Sequence, residues 1–222
     1  MSKANTLLLA LAGALSVVTA AQAQDAAGDP KKGAQKAAMC IGCHGIVGYQ
    51  ATFPEVYKVP MISGQNAKYI AAALNGYKKG ERKHPTMRAI AISLTDADIA
   101  DLSAHYAQHG ASSIKPVADA PVPAPSTEVA ALLTKGACAS CHGANFSKPI
   151  DPGYPKLAGQ HADYLYASLR AYGIADNAKL GRTNAIMGGQ VKQFKREELK
   201  AIAQYLASLP GEMRTVPQSK FK

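Results

Sequence analysis

Cysteine is scarce in this chain, with four among 222 residues, which excludes a densely disulfide-linked scaffold. Beyond the N-terminus there is no long apolar run, and the mean hydropathy is −0.10, so a polytopic membrane protein is also excluded. Acidic residues are the minority, 15 against 25 Lys and Arg, which gives a net charge of +10. Such a charge either keeps the surface soluble or favours an acidic partner or an anionic membrane, and it says nothing about fold.

The positive charge is uneven along the chain. Residues 24–110 carry ten basic and seven acidic side chains, whereas residues 127–222 carry thirteen and seven. We therefore expect the C-terminal part to be the more basic side, which docks to a partner or faces a membrane. Nucleic acid is not an expected partner, because the lysines are scattered and no nucleic-acid motif accompanies them.

The N-terminus has the pattern of an export signal. Lys3 precedes an apolar stretch from Leu7 to Ala21, which is followed by the small-x-small site Ala21-Gln22-Ala23. The apolar run is about 15 residues, short of the roughly 20 that a membrane-spanning helix needs. We predict a signal peptide over 1–23, cleaved before Gln24; the alternative is an uncleaved anchor.

The four cysteines form two copies of one motif. They lie in Cys40-Ile41-Gly42-Cys43-His44 and in Cys138-Ala139-Ser140-Cys141-His142. C-x-x-C-H is the attachment signature of haem c, in which two thiols form thioethers and the histidine binds the iron. The alternatives are a disulfide or half of a zinc site, but zinc needs four ligands and each copy has two cysteines and one repeated histidine.

The sequence around the motifs is duplicated too. Pro60-x-x-Ser63-Gly64-Gln65 matches Pro155-x-x-Ala158-Gly159-Gln160, and further matches continue to the last helix of each copy. A repeat of this size indicates two copies of a small domain. We predict domains over 24–111 and 127–222, joined by a Pro-rich linker over 112–126 in which Pro and Ala alternate.

The predicted secondary structure is helical throughout. Asp29-Pro30 favours a helix running to Cys40, and residues 65–77 have apolar side chains at helical spacing. Thr95-x-x-Asp98 resembles a capping box that opens a further helix. The second copy repeats this helix over 196–209. No strand-like alternation of useful length occurs.

The duplication also selects the second iron ligand. Among the methionines beyond the signal (Met39, Met61, Met87, Met187, Met213), only Met87 and Met187 occupy equivalent places in the two copies. We predict His44/Met87 for one haem and His142/Met187 for the other, with Met61 as a competitor for the first. Two closed axial positions favour outer-sphere electron transfer over catalysis.

Other repeated residues suggest supporting roles. The imidazole N–H of a ligand histidine commonly donates to a backbone carbonyl. The carbonyls of Pro60 and Pro155 are candidates for this acceptor; the alternative is that these prolines only end a loop before a helix. Arg82 and Arg182 could pair with haem propionates, although a solvated arginine is the simpler expectation. The repeated tyrosines are expected to pack in the core around the haem.

The tandem C-x-x-C-H-G units, the P-x-x-[SA]-G-Q segments and the later methionines resemble the c4-type dihaem cytochromes c. The resemblance implies an all-α fold of two tandem class I cytochrome c domains, two covalently bound haem c groups and a periplasmic location. It also implies that Cys40, Cys43, Cys138 and Cys141 hold haem, that His44, Met87, His142 and Met187 bind iron, and that Pro60 and Pro155 orient the histidines.

The resemblance implies electron transfer from a cytochrome bc-type donor to a terminal oxidase or reductase, sometimes at the membrane surface. Two alternatives remain open. One is a dihaem cytochrome subunit of a dehydrogenase complex. The other is a haem peroxidase, which would need one iron with an open or easily vacated position.

Overall fold

The computed structural model describes residues 28–113, 117 and 122–217. The predicted signal peptide lies outside the described residues, and so does part of the predicted linker. The described helices are α1 (Pro30–Lys36), α2 (Ala38–His44), α3 (Ala67–Lys79), α4 (Pro85–Ile92), α5 (Asp96–Gln108), α6 (Thr127–Lys135), α7 (Cys138–His142), α8 (Ala162–Ala171), α9 (Ala185–Val191) and α10 (Arg196–Ser208), with a 3-10 turn at Ala111–Ser113. We call residues 28–113 the first half and residues 122–217 the second half.

The first helix is shorter than its sequence pattern predicts. Asp29 caps α1 by accepting hydrogen bonds from two following amides, as expected for an Asp-Pro start. The helix then breaks at the buried Ala37, whose ψ of −5° departs from helical geometry, and α2 begins one residue later. The predicted single helix to Cys40 is therefore wrong, and the C-x-x-C-H motif has a short helix to itself.

Helix α5 organises the first half. Thr95 caps it, because its hydroxyl accepts from the Asp98 amide while the Asp98 carboxylate accepts from the Thr95 amide, which confirms the predicted capping box. Its buried side chains Leu102 and Tyr106 pack in one core with Ile70 of α3. Helix α1 crosses α5 closely at Gly33, where an added Cβ would lie 2.1 Å from the Asp101 carbonyl oxygen, so only glycine fits.

The second half repeats this arrangement around α10, which packs against α6 and α8. Its core is the larger of the two; the buried members are Leu132, Phe146, Ala158, Leu165, Ile202, Ala203, Leu206 and Leu209. Phe146 adopts a positive φ of 56°, and its carbonyl accepts from the amides of Leu157 and Ala158. The turn after the second motif is thus tied to the segment that follows Pro155.

Short strands join the halves in a way that the sequence pattern does not show. Strand β1 (Gln50–Ala51) pairs with β2 (Tyr57–Lys58) inside the first half, but β3 (Arg82–Lys83) pairs antiparallel with β4 (Gly181–Arg182) of the second half. The C-terminal segment also returns to the first half, where the Arg214 amide donates to the Ser63 carbonyl at 2.9 Å. Among the described helices, none has the length and apolar character required to cross a membrane.

We expect Thr95→Ala to lower the free energy of unfolding by about 1 kcal/mol, because the Asp98 amide loses its hydrogen-bond acceptor at the start of α5. Urea unfolding followed by far-UV circular dichroism measures the loss. The matched control is Lys195→Ala at the equivalent cap of α10, where the Glu198 carboxylate accepts from the Lys195 amide and alanine keeps that amide. The control should lower the free energy of unfolding by less than about 0.5 kcal/mol. An equal loss in both variants would contradict the role of the Thr95 cap.

Candidate haem-binding sites

Both C-x-x-C-H motifs lie on short helices, the first on α2 and the second on α7. The helix places the two thiols of each motif three residues apart, on one face. All four cysteines are free and half-buried, and Cys40 and Cys138 each pack against the core of their own half. Burial raises the pKa of both these thiols. The four side chains are therefore two pairs of thiols, which is the form that thioether attachment uses.

The zinc alternative finds no ligand set in the part of the chain that the structure describes. No group of three or more His, Cys, Asp or Glu side chains there could hold a metal ion. A structural zinc ion takes four such ligands. The two cysteines and one histidine of each motif thus fit haem attachment better than zinc binding.

The motif histidines are held by proline carbonyls. His44 Nδ1 lies 2.8 Å from the Pro60 oxygen, and His142 Nδ1 lies 3.2 Å from the Pro155 oxygen. Since a carbonyl only accepts, Nδ1 carries the proton in each ring and Nε2 keeps its lone pair. Burial lowers the pKa of both imidazoles, although the bond to the carbonyl opposes the shift. Both rings are thus neutral at neutral pH, as an iron ligand requires.

Met87 and Met187 occupy matching places, each at the third position of a short helix. The Met87 amide donates to Nδ1 of the cap His84 at 3.3 Å, and the Met187 amide donates to Oδ1 of the cap Asn184 at 2.9 Å. Both methionines are half-buried. The two copies thus present the same local structure around the predicted thioether ligand, even though the capping residue differs.

The other methionines have different surroundings. Met39 is 58% exposed, next to Cys40. Met213 is 1% exposed, and its sulfur accepts from the side-chain amides of Gln65 and Gln160 at 3.2 and 3.6 Å. The backbone of Met61 is bound by Gln160. None of these three shares the helix position that Met87 and Met187 have in common.

The expectation that the repeated arginines are solvated is wrong. Arg82 donates to the Tyr69 hydroxyl at 3.0 Å, and Arg182 donates to the Tyr164 hydroxyl at 3.1 Å. Each guanidinium also lies over tyrosine rings, with Arg182 5.6 Å from the Tyr172 ring centre. The cause is the pairing of β3 with β4, which encloses both arginines between the halves among the repeated tyrosines.

This cluster makes one hydroxyl unusually acidic. Burial alone would raise the pKa of Tyr164, but the charges of Arg182 and Arg82 outweigh that effect and hold the pKa at about 8. Two guanidinium cations held close together among tyrosine side chains form a site that favours an anion. Haem propionates have the charge that this site favours.

Sequence reasoning missed the role of the two glutamines that follow Gly64 and Gly159, which it used only as markers of the repeat. The structure buries both at the joint between the halves, where Gln65 is 5% and Gln160 is 4% exposed. The available signal was their equivalent position in both copies. A polar side chain retained twice after a turn glycine suggests a fixed hydrogen-bonding role.

Comparisons with known proteins agree with this geometry. The family model described as cytochrome c matches residues 126–210. A cytochrome c4 from Thiocapsa roseopersicina is 32% identical over 201 residues, which span 82% of this chain and 93% of that protein. The chain belongs to the cytochrome c4 family.

Two further proteins are similar to most of this chain. The solved structure of a cytochrome c4 from Acidithiobacillus ferrooxidans matches with a TM-score of 0.59 at 27% identity, covering 78% of this chain and 99% of that one. A protein of Stutzerimonas stutzeri named thiosulfate dehydrogenase electron acceptor is 29% identical, covering 92% of this chain and 96% of that protein. As a cytochrome c4, the chain carries covalently bound haem c, consists of two class I cytochrome c domains and transfers electrons to and from redox proteins.

We expect the pigment to stay with the polypeptide on extraction with acid acetone, because thioether bonds survive conditions that remove haem held by iron ligation alone. Replacing both thiols of the first motif (Cys40→Ala with Cys43→Ala) should lower the covalently bound haem per chain, measured as pyridine haemochrome. The matched control is Ser140→Ala, which changes an exposed residue between the cysteines of the second motif. A colourless polypeptide after extraction of the unaltered protein would contradict covalent attachment.

Proposed function

We propose that this cytochrome c4 holds two haems, one ligated by His44 and Met87 and the other by His142 and Met187. The supporting observation is the repeated geometry: in each half a proline carbonyl occupies Nδ1 of the motif histidine, and a methionine occupies the third position of an equivalently capped helix. Cys40, Cys43, Cys138 and Cys141 attach the two groups. The domains span 24–111 and 127–222, with 112–126 as the linker.

The haem iron supplies a centre that changes valence by one electron. The protein's contribution is to keep that centre closed. In each domain the neutral imidazole of the motif histidine and the thioether of the methionine would hold the iron, and a thioether ligand would favour the ferrous state relative to a second histidine. Bound by these two side chains, the iron would offer neither oxygen nor peroxide a place to bind, and the chemistry that the group would supply is outer-sphere electron transfer.

We further propose that the protein is an electron carrier of a respiratory chain in the periplasm. It would take single electrons from a cytochrome bc-type donor and pass them to a terminal oxidase or reductase. Support comes from the export pattern before Gln24 and from the family. The greater excess of basic residues in 127–222 favours docking of the second domain to an acidic partner or to the membrane surface.

We expect Met87→Ala and Met187→Ala each to remove about half of the weak far-red absorption band of the oxidised protein, because each variant removes one of the two methionine ligands. The matched control is Met61→Leu, which removes a thioether outside the proposed ligand set and should leave the band intact. Loss of the band in Met61→Leu would reassign the ligand of the first haem. Rapid, stoichiometric CO binding by the unaltered ferrous protein at neutral pH would contradict the closed coordination and favour a peroxidase.

A second candidate function is that of the cytochrome subunit of a dehydrogenase complex. It is favoured by the relative named thiosulfate dehydrogenase electron acceptor, which matches almost the whole chain. If it is correct, gentle purification from native cells should recover this chain with a stoichiometric dehydrogenase chain, and substrate should reduce the haems in that preparation. A diffusible carrier is instead recovered alone, and its reduction by the separate donor should slow as salt is raised.

A further inference from the structure

Two peptide groups lie between the motif histidines and the opposite domain. The first links Pro60 to Met61. Its carbonyl oxygen accepts from His44 Nδ1 at 2.8 Å, and its N–H donates to Gln160 Oε1 at 3.1 Å. Because the carbonyl and the N–H belong to one conjugated amide, His44 and Gln160 bind the two ends of the same dipole.

The second domain repeats the arrangement in the opposite direction. The peptide group between Pro155 and Lys156 accepts from His142 Nδ1 at 3.2 Å, and its N–H donates to Gln65 Oε1 at 2.9 Å. Gln65 lies in the first domain, whereas Gln160 lies in the second. Each glutamine therefore contacts the peptide that supports the histidine of the other domain.

The two glutamines are fixed in orientation by their remaining bonds. Each Oε1 also accepts from the next backbone amide, that of Asn66 or of His161. Gln65 Nε2 donates to the Lys156 carbonyl at 3.0 Å, and Gln160 Nε2 donates to the Met61 carbonyl at 2.9 Å. Each glutamine thus binds both the amide and the carbonyl of one residue in the opposite domain. The Met213 sulfur, 1% exposed, accepts from both. The carboxamides are thus buried and fully bonded, so their acceptor atoms stay aimed at the two peptides.

We propose that Gln160 and Gln65 are positioning residues that act across the domain interface, each raising the electron-donor strength of the other domain's ligand histidine and so lowering that haem's reduction potential. Hydrogen bonds in a chain polarise one another, so an acceptor on the peptide N–H makes the peptide carbonyl a stronger acceptor. A stronger acceptor for the imidazole N–H raises the basicity of the ligating nitrogen. This inference rests on the proposed histidine ligation of both haems.

The inference predicts a crossed pattern of effects. In Gln160→Met the side chain keeps its length but loses the carboxamide, so the potential of the His44 haem should rise while that of the His142 haem changes less. In Gln65→Met the reduction potential of the His142 haem should rise instead. A role confined to local packing would instead affect the haem of the substituted domain, or both haems alike.

Potentiometric titration of the full holoprotein measures the shift. To assign each potential, the titrations are repeated in Met87→His and Met187→His backgrounds. Each of these substitutions lowers the potential of one haem. The potential of the other haem can then be measured separately. A second readout is the Nδ1–H proton resonance of His44 and of His142 in the ferrous protein labelled with 15N-histidine. It should move upfield for His44 in Gln160→Met and for His142 in Gln65→Met, since each of those hydrogen bonds weakens.

The matched control is Asn66→Ala. Asn66 follows Gln65, and its side-chain amide donates across the same interface to the Tyr154 carbonyl at 3.1 Å, without contacting the peptide between Pro155 and Lys156. It should leave the His142 resonance and potential close to those of the unaltered protein. An effect as large as that of Gln65→Met would mean that general loosening of the interface is responsible, and the proposal would be overturned.

Gln160→Glu guards against a variant that does not fold. At this buried position the carboxyl is expected to stay protonated, so that its hydroxyl donates to the Met61 carbonyl in place of Gln160 Nε2 and its carbonyl oxygen still accepts from the Met61 amide. The potential of the His44 haem should therefore rise less than in Gln160→Met. Equal shifts of both haems in all glutamine variants, or none, would overturn the inference. If the Met→His backgrounds displace no potential, the proposed methionine ligation fails by itself, and the histidine resonances still decide the role of the glutamines.

Discussion

The commitment of one imidazole nitrogen to a proline carbonyl is the constraint on which the rest of this structure depends. A motif histidine is useful to a haem only if its ring is neutral and presents the correct nitrogen. The bonds from His44 to Pro60 and from His142 to Pro155 select the nitrogen, because they place the proton on Nδ1, and burial keeps the rings neutral by lowering their pKa against the opposing effect of the carbonyls. The loops that carry the prolines therefore belong to the sites as much as the C-x-x-C-H helices do.

The same constraint explains why the domains meet where they do. A loop that supports a ligand histidine has to be held rigidly, yet each domain is small and can bury little of its own backbone. The cytochrome solves this with the other copy: the segments after Pro60 and Pro155 are bonded by glutamines from across the interface, and β3 pairs with β4 beside them. The buried carboxamides of Gln65 and Gln160 are tolerated there because their oxygen and nitrogen atoms all have partners.

The sequence predicted best what depends on local chemistry. The two haem motifs, the capping box at Thr95 and the final helices follow from the types and spacing of nearby residues, and the internal repeat reinforced the motifs and the final helices. The sequence did not predict contacts between residues that lie about 100 positions apart in the chain. Two-residue strands such as Arg82–Lys83 leave no alternation to detect, so the pairing with Gly181–Arg182, and with it the enclosure of both arginines, was not predictable.

The two kinds of repeated residue also act differently in the duplicated fold. Cys40, His44 and Met87 serve their own domain, so one copy alone contains the reason for their positions. Gln65 and Gln160 serve the opposite copy, and their purpose exists only once two domains face each other. A duplicated chain that exchanges such contacts cannot separate its domains without removing the hydrogen bonds that each copy supplies to the loop beside the other copy's motif histidine. The surroundings of both motif histidines therefore depend on the interface as well as on the domain that carries each of them.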